Sequence, residues 1–442
     1  MSLLNKANII TTPTAYSVGK LHSVKPENEI YADFDFARNS SATRVGENGL
    51  IQSVAANLPR INYENGIGHL LLEPQRTNLL TYSEDFSNAA WTKQNTTIIE
   101  NEIISPDGYT NADAIVDTAT NAEHNISRPT NIAVTASSPI TQSVFLKSGT
   151  QPFAMLRNFG VGSQQYFCVV VNLNTGTITK TQAGTSTSNT SATITDYGNG
   201  WYRVTATATF ATGTLNNPIL HLVNSATPTI GTYGEVTYLG NGTNSIFAWG
   251  FQLENASAYA TSYIPTLSAA ATRIAEVCNG SGNASTFNSS EGVLMAQISA
   301  LANDGTDREM TISDGTNSNR VVIGYNSSNQ IVAAVLSGGV QMLQTITTDI
   351  LLTKKIALKY KQNDFALWFN GFKVYTDLIG STFSESTLNQ ISFNRPDTDG
   401  SVYAKTKQIQ YFPEALTDSE LECLTSWSSF NRMAIDLNYT IQ

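Results

Sequence analysis

Apolar side chains in this 442-residue chain recur at every second position in short runs, the period of strands rather than helices. From Trp201 to Phe210, Tyr202, Val204, Ala206, Ala208 and Phe210 share one face, and Arg203, Thr205, Thr207 and Thr209 the other. That pattern predicts a half-buried antiparallel strand. In Ile246 to Leu253 the same alternation places Phe247, Trp249, Phe251 and Leu253 together. Tyr166 to Leu173 is almost continuously apolar, and Asn174-Thr175-Gly176 turns it into Thr177-Ile178-Thr179. A second series follows Gly292: Val293 to Ile298, Glu309 to Ile312, Arg320 to Tyr325, Ile331 to Leu336, Lys354 to Tyr360, Phe365 to Phe369 and Lys407 to Phe412. Asn370-Gly371 joins Phe365–Phe369 to Phe372–Tyr375 as a tight hairpin, because both turn residues tolerate positive φ. Thr417 and Glu420 form a capping box that starts one short helix. Strands at this spacing, with no amphipathic helix between them, predict an all-β chain: two tandem antiparallel β-sandwiches, or jelly rolls.

Length agrees, since 442 residues exceed what one core normally supports. The expected division is residues 1–30 as an N-terminal arm, 31–80 as an extended segment, 81–266 as a first sandwich, 267–290 as a Ser/Ala/Gly-rich linker, 291–425 as a second sandwich and 426–442 as a tail. The arm is short and polar, and it is expected to order only against neighbours. Charge is sparse, 14% of residues, with a formal net charge of -10. The scattered Lys and Arg offer no basic face, so no nucleic-acid partner is expected. No apolar run reaches the length of a spanning helix, and Met1 to Lys20 lacks the form of a secretory signal, so no membrane insertion is expected. The three cysteines, Cys168, Cys278 and Cys423, have neither disulfide nor zinc spacing. Cys168 is expected to be a core residue.

The segment Asp33-Phe34-Asp35-Phe36-Ala37-Arg38-Asn39-Ser40-Ser41-Ala42-Thr43-Arg44-Val45, followed by Asn48-Gly49-Leu50-Ile51, Asn57-Leu58-Pro59-Arg60 and Leu72-Glu73-Pro74-Gln75-Arg76-Thr77-Asn78-Leu79, closely resembles one found in virion proteins of tailed bacteriophages. Gly200-Trp201-Tyr202-Arg203-Val204, Trp249-Gly250-Phe251-Gln252-Leu253-Glu254 and Tyr263-Ile264-Pro265-Thr266 resemble strands of the carbohydrate-binding-module-like sandwich in that family. The order of strands and helix after Gly292 resembles a laminin-G or concanavalin-A-like jelly roll. The resemblance implies a head or tail fibre or appendage at the virion surface. It further implies docking to other virion proteins through the N-terminal arm, homotrimeric assembly, and lectin-like domains that bind host-surface glycans or receptors. A purely structural decoration protein and a polysaccharide-degrading tailspike are the alternatives.

Catalysis finds little support in the residue pattern. His22, His69, His124 and His221 lie in unrelated contexts, no Gly-x-Ser-x-Gly elbow occurs, and no carboxylate pair stands out, so the expectation is a chain that is not an enzyme. Neither a cofactor nor a metal site is expected: the acidic turns Asp304-Gly305-Thr306-Asp307 and Asp397-Thr398-Asp399-Gly400 lack EF-hand spacing and read as Asp-Gly turns. Sugar binding needs aromatic faces in loops beside hydrogen-bonding side chains. Trp91, Tyr109, Tyr233 and Tyr238 fit that description, whereas Trp201 and Trp249 sit in apolar alternation and are expected in the core.

Overall fold

The structure, a computed structural model, describes residues 2–434 apart from 13, 27–29, 163, 398, 399, 430 and 432. It is all-β and divides into two compact units: Met1–Ser41, Val54–Pro74 and Ile274–Gln442 form the first, and Ala42–Ser53 with Gln75–Arg273 the second. Each unit therefore draws on more than one stretch of the chain. The motif-bearing segment passes between units three times before residue 80, where the sequence predicts one extended stretch, and the expected 267–290 linker contributes strands Ala271–Arg273 and Val277–Asn279 to different units.

In the first unit, one sheet is ordered Phe372–Asp377, Phe365–Phe369, Lys354–Lys361, Glu291–Ala300, Ala404–Phe412, Ile67–Leu71 and Ile61–Glu64. It faces a five-stranded sheet that runs from Val340–Ile346 through Arg308–Ser313 to Gln390–Ser392. Leu294, Ile298, Ile356, Leu358, Leu367 and Ile409 from the first sheet pack against Met310, Ile312, Val321, Ile323 and Val335 from the second. The opposite face of the larger sheet is covered at one end. There Leu416, Leu421 and Leu424, from and before helix Asp418–Thr425, lie on Met295, Ala357, Trp368 and Phe412. The capping box at Thr417 and Glu420 starts this helix as predicted.

The expected free arm is instead part of this unit. Ile9–Thr11 is a strand paired with Ala404–Phe412, Ile9 opposite Tyr411. Ile9 and Ile10 are buried, which stabilises the fold by about 2 kcal/mol each. Their burial and ladder hydrogen bonds give residues 9–11 a reason to fold without a partner. The tail beyond 434 lies outside the described residues.

The second unit stacks Thr96–Ile104, Thr110–Asp117, Ser245–Asn255, Pro139–Ser148, Trp201–Phe210 and Thr187–Asp196 on a sheet that includes Leu215–Leu222, Phe153–Gly160, Tyr166–Asn172 and Thr177–Ala183. Val204, Ala206, Ala208 and Phe210 enter the core as their alternation predicts. The strand Ser245–Asn255 departs from the prediction. Gly250 takes φ +64° within it, and the pairing register shifts between Ser143 and Phe145 on the neighbouring strand. That bulge resets the alternation: Ile246 and Ala248 point into the sandwich, then Phe251 and Leu253, while Trp249 faces the other way onto Phe145, Trp201 and Tyr263. Trp201 and Trp249 are both buried, as expected, but on the outer cluster rather than between the sheets. Cys168 is fully buried, and burial pushes its thiol up to about 12.

Candidate functional site

Of the four aromatics expected to form a sugar platform, two are core residues. Trp91 is 2% exposed: its ring stacks on Phe251 at 5.4 Å and meets Phe86 edge-on, Arg128 lies over it, and its Nε1 donates to the Tyr82 carbonyl. Tyr238 is buried against His124 and donates to Asp117. Neither offers a face to a ligand. Tyr109 is 73% and Tyr233 51% exposed. Tyr109 sits in the turn between Thr96–Ile104 and Thr110–Asp117, whereas the Tyr233 loop seats Gly234 on Cys168 of the opposite sheet. The two do not make one platform.

The residues that carry the bacteriophage resemblance are mostly internal fasteners. In the first unit, Arg38 and Arg60 are fully buried around Glu276. Arg38 donates to one Glu276 oxygen at 2.7 Å and to the carbonyls of Ser40, Ala55 and Leu58. Arg60 grips both Glu276 oxygens, at 2.7 and 2.5 Å, and reaches Glu73 at 2.9 Å. Although burial alone would lower it, the pKa of Arg60 is raised by Glu276 and Glu73, so the guanidinium stays charged. In the second unit Asn78 spends all four of its bonds: it donates to the carbonyls of Phe251 and Ile264 and accepts from the amides of Leu80 and Leu253. Glu254 accepts from Thr261, and Gln252 from the amide of Ile264. These contacts tie Arg76–Asn78 to the closing strand.

A polar cleft lies elsewhere, on the first unit. Its larger sheet has an outer face that is covered by helix at the Phe412 end and open at the Lys405 end. Strand alternation brings Glu64, Ile67 and His69 to that face, opposite Lys405 and Lys407 on Ala404–Phe412 and Ser299 on Glu291–Ala300. The loop residues Leu351, Leu352 and Thr353 form a wall, held because the Ala300 amide donates to the carbonyl of buried Ile350. The cleft measures about 150 Å³ and also takes in Asn65. Lys405 pairs with Glu64 at 2.6 Å. Against the effect of burial, Lys405 holds the Glu64 carboxyl below its usual range.

His69 is 1% exposed, and its Nε2 has no protein partner. Burial pushes its pKa down to about 4, and its ring hydrogen-bonds the Ile67 backbone. The imidazole is therefore neutral near pH 7, and His69 lines the cleft with its Nε2 buried and unbonded. Sequence reasoning missed this site because more than 330 positions separate His69 from Lys405. The available signal was the Lys405-Thr406-Lys407 alternation, which puts two ammonium groups on one face of a strand.

The acidic turns have internal uses: Asp304 accepts from Arg308, and Asp397 from Arg395 and Asn317. Asp399 lies outside the described residues. Among the described residues, no group of His, Cys, Asp and Glu could hold a metal ion.

No protein-family profile matches this chain, and no curated protein matches it. Solved structures with similarity include the Ruminococcus gnavus IT-sialidase CBM40, at 14% identity, covering 33% of this chain and 93% of that one with a TM-score of 0.28. Domain 4 of AbnA, a GH43 extracellular arabinanase from Geobacillus stearothermophilus, is 9% identical over 39% of this chain and 83% of its own, with a TM-score of 0.28. Trypanosoma rangeli sialidase is 9% identical over 92% of this chain and 78% of its own, again at 0.28. These are carbohydrate-binding and carbohydrate-cleaving β-proteins. The expectation of a non-enzyme is corrected: a sialidase, covering 92% of this chain, stands among the similar structures.

Proposed function

We propose that this chain is a glycan-binding surface protein of a tailed-bacteriophage virion, with the sugar held in the cleft around His69. The observation that carries the binding half is a polar cleft at the open end of the larger sheet, lined by Glu64, Ser299, Thr353, Lys405 and the buried imidazole of His69. The hydroxyls of Ser299 and Thr353 and the carboxylate of Glu64 are fitting partners for saccharide hydroxyls. The virion half is supported by the motifs between Asp33 and Leu79, whose buried arginines and Asn78 have defined structural jobs. Kinship also supports homotrimeric assembly.

The test is a glycan array probed with the purified full chain, followed by competition of virion adsorption with any glycan retained. Binding to a defined set of glycans that His69→Leu abolishes is the expected result. Binding unchanged in that variant would remove the cleft from the proposal, and adsorption indifferent to the competing glycan would remove the host-recognition role.

A further inference from the structure

A separate set of side chains in the first unit has the geometry of an acyl-transfer site. Tyr16–Ser17 and Lys20–Leu21 form a hairpin, Ser17 opposite Lys20, through a turn at Val18 and Gly19 in which Gly19 takes φ +77°. Lys20–Leu21 pairs in turn with Phe34–Ala37, Lys20 opposite Asp35 and Leu21 opposite Phe34. Strand alternation divides these residues between two faces: Leu21, Phe34 and Phe36 enter the core, while Ser17, Lys20 and Asp35 lie on the outer face. One step beyond this register His22 and Asp33 meet on that outer face, and Ser17 is the diagonal neighbour of His22.

Asp33 accepts from His22 Nδ1 at 2.7 Å through one carboxylate oxygen and from the Ser23 amide at 2.9 Å through the other. His22 Nε2 lies 2.9 Å from Ser17 Oγ. The carboxylate fixes the tautomer: with the proton on Nδ1, Nε2 presents its lone pair to the serine hydroxyl. Lys20, on the same face, is paired with Asp35 at 2.6 Å. The Asp33 side chain is 13% exposed and the His22 ring 36%, and Ser17 is on the surface, so nucleophile and base can be reached while the orienting carboxylate is held. Sequence spacing concealed the set, because the serine lies 5 positions before His22 and the aspartate 11 after it, with no nucleophile elbow to mark them.

We propose that Ser17, His22 and Asp33 are a hydrolytic triad for short-chain carboxylic esters, an activity beyond glycan binding and independent of the cleft around His69. His22 Nε2 takes the Ser17 hydroxyl proton as Oγ bonds to the ester carbonyl carbon; the bond from that carbon to the alcohol oxygen then breaks, and Nε2 gives the proton to the departing alcohol. Water, deprotonated by the same nitrogen, attacks the acyl-serine; the bond from Oγ to the acyl carbon breaks, Oγ recovers its proton, and the carboxylic acid leaves. Ser17 and His22 are the catalytic residues, and Asp33 positions the imidazole. Beside Ser17 on the turn stands Val18, 70% exposed, which offers contact to a short acyl chain without enclosing a long one.

Hydrolysis of p-nitrophenyl acetate by the purified full chain, together with fluorophosphonate labelling and mass mapping of the labelled peptide, tests the assignment. Steady turnover above the buffer rate and an adduct on Ser17 are the expected results. Ser17→Ala, at an exposed position outside the core, should melt as wild type does and lose both. His22→Gln should lower kcat about a hundredfold or more, the scale of general-base catalysis. Asp33→Asn should lower kcat with KM little changed, and Asp33→Glu should recover part of the loss, a split that a merely structural carboxylate would not produce. Turnover that survives Ser17→Ala, an adduct on a different residue, or neither turnover nor adduct would each overturn it.

Discussion

Buried charge in the first unit is concentrated where Arg38 and Arg60 converge on Glu276, and the balance there is one of desolvation against pairing. Removing one member of such a set leaves the others uncompensated, which costs about 3–5 kcal/mol. Glu276→Gln is therefore expected to destabilise the first unit by that order, read as a lower denaturant midpoint, with the second unit little changed. Asn78 presents the neutral version of the same problem. Asn78→Ala strands two amides and two carbonyls, and about 3 kcal/mol of lost stability in the second unit is expected by chemical denaturation.

His221 supplies a pH dependence. It is fully buried with neither ring nitrogen bonded, and burial, reinforced by Arg157 and His124, holds its pKa well below 6.5. The unfolded chain thus binds a proton that the folded chain refuses, so stability is full above 6.5 and falls as pH drops below it. Buried carboxyls such as Glu254, raised by their own burial, act in the opposite sense. The contribution of His221 is accordingly read as a difference. Melting temperatures between pH 7.5 and 5 should fall less steeply in His221→Leu than in wild type, and equal slopes would refute the assignment.

Strands were the most legible level of the sequence. The hairpin at Asn370-Gly371 forms with φ +52° and +89°, as the residue types demand, and the strands after Gly292 lie where their alternation puts them. Alternation misled at Gly250, because a period of two says nothing about an inserted residue that resets it. A Cβ at Gly250 would stand 3.0 Å from the Phe145 ring in a positive-φ backbone. Gly250→Ala is expected to cost about 2 kcal/mol, measured by thermal or chemical denaturation. The candidate site was less legible for a related reason. Loop position marked Trp91 and Tyr238 as surface aromatics, but Trp91 stacks on Phe251 and Tyr238 packs on His124, partners distant in sequence that a local reading cannot supply.

At the scale of the whole chain, the division into units was legible in number but not in connectivity. Composition changes near 80 and 267 suggested cuts that the structure does not respect, because Arg76–Asn78 pairs with Ala271–Arg273 across almost two hundred residues. A fragment spanning 75–273 keeps that pairing and the Asn78 bonds, and one spanning 81–266 loses both. The longer fragment should melt higher by about 10 °C, given about 3 kcal/mol at 2–4 °C each for a domain of this size. Equal melting temperatures would show that the interleaved segment contributes nothing.

The claim on which the functional account depends is that a sugar occupies the cleft beside His69. A crystallographic difference map of the full chain with a glycan selected by the array tests it most directly. Density for a saccharide in the cleft, within hydrogen-bond distance of Glu64 or Thr353, is the predicted outcome; density instead beside Tyr109 or Tyr233, with the cleft holding only solvent, would contradict it.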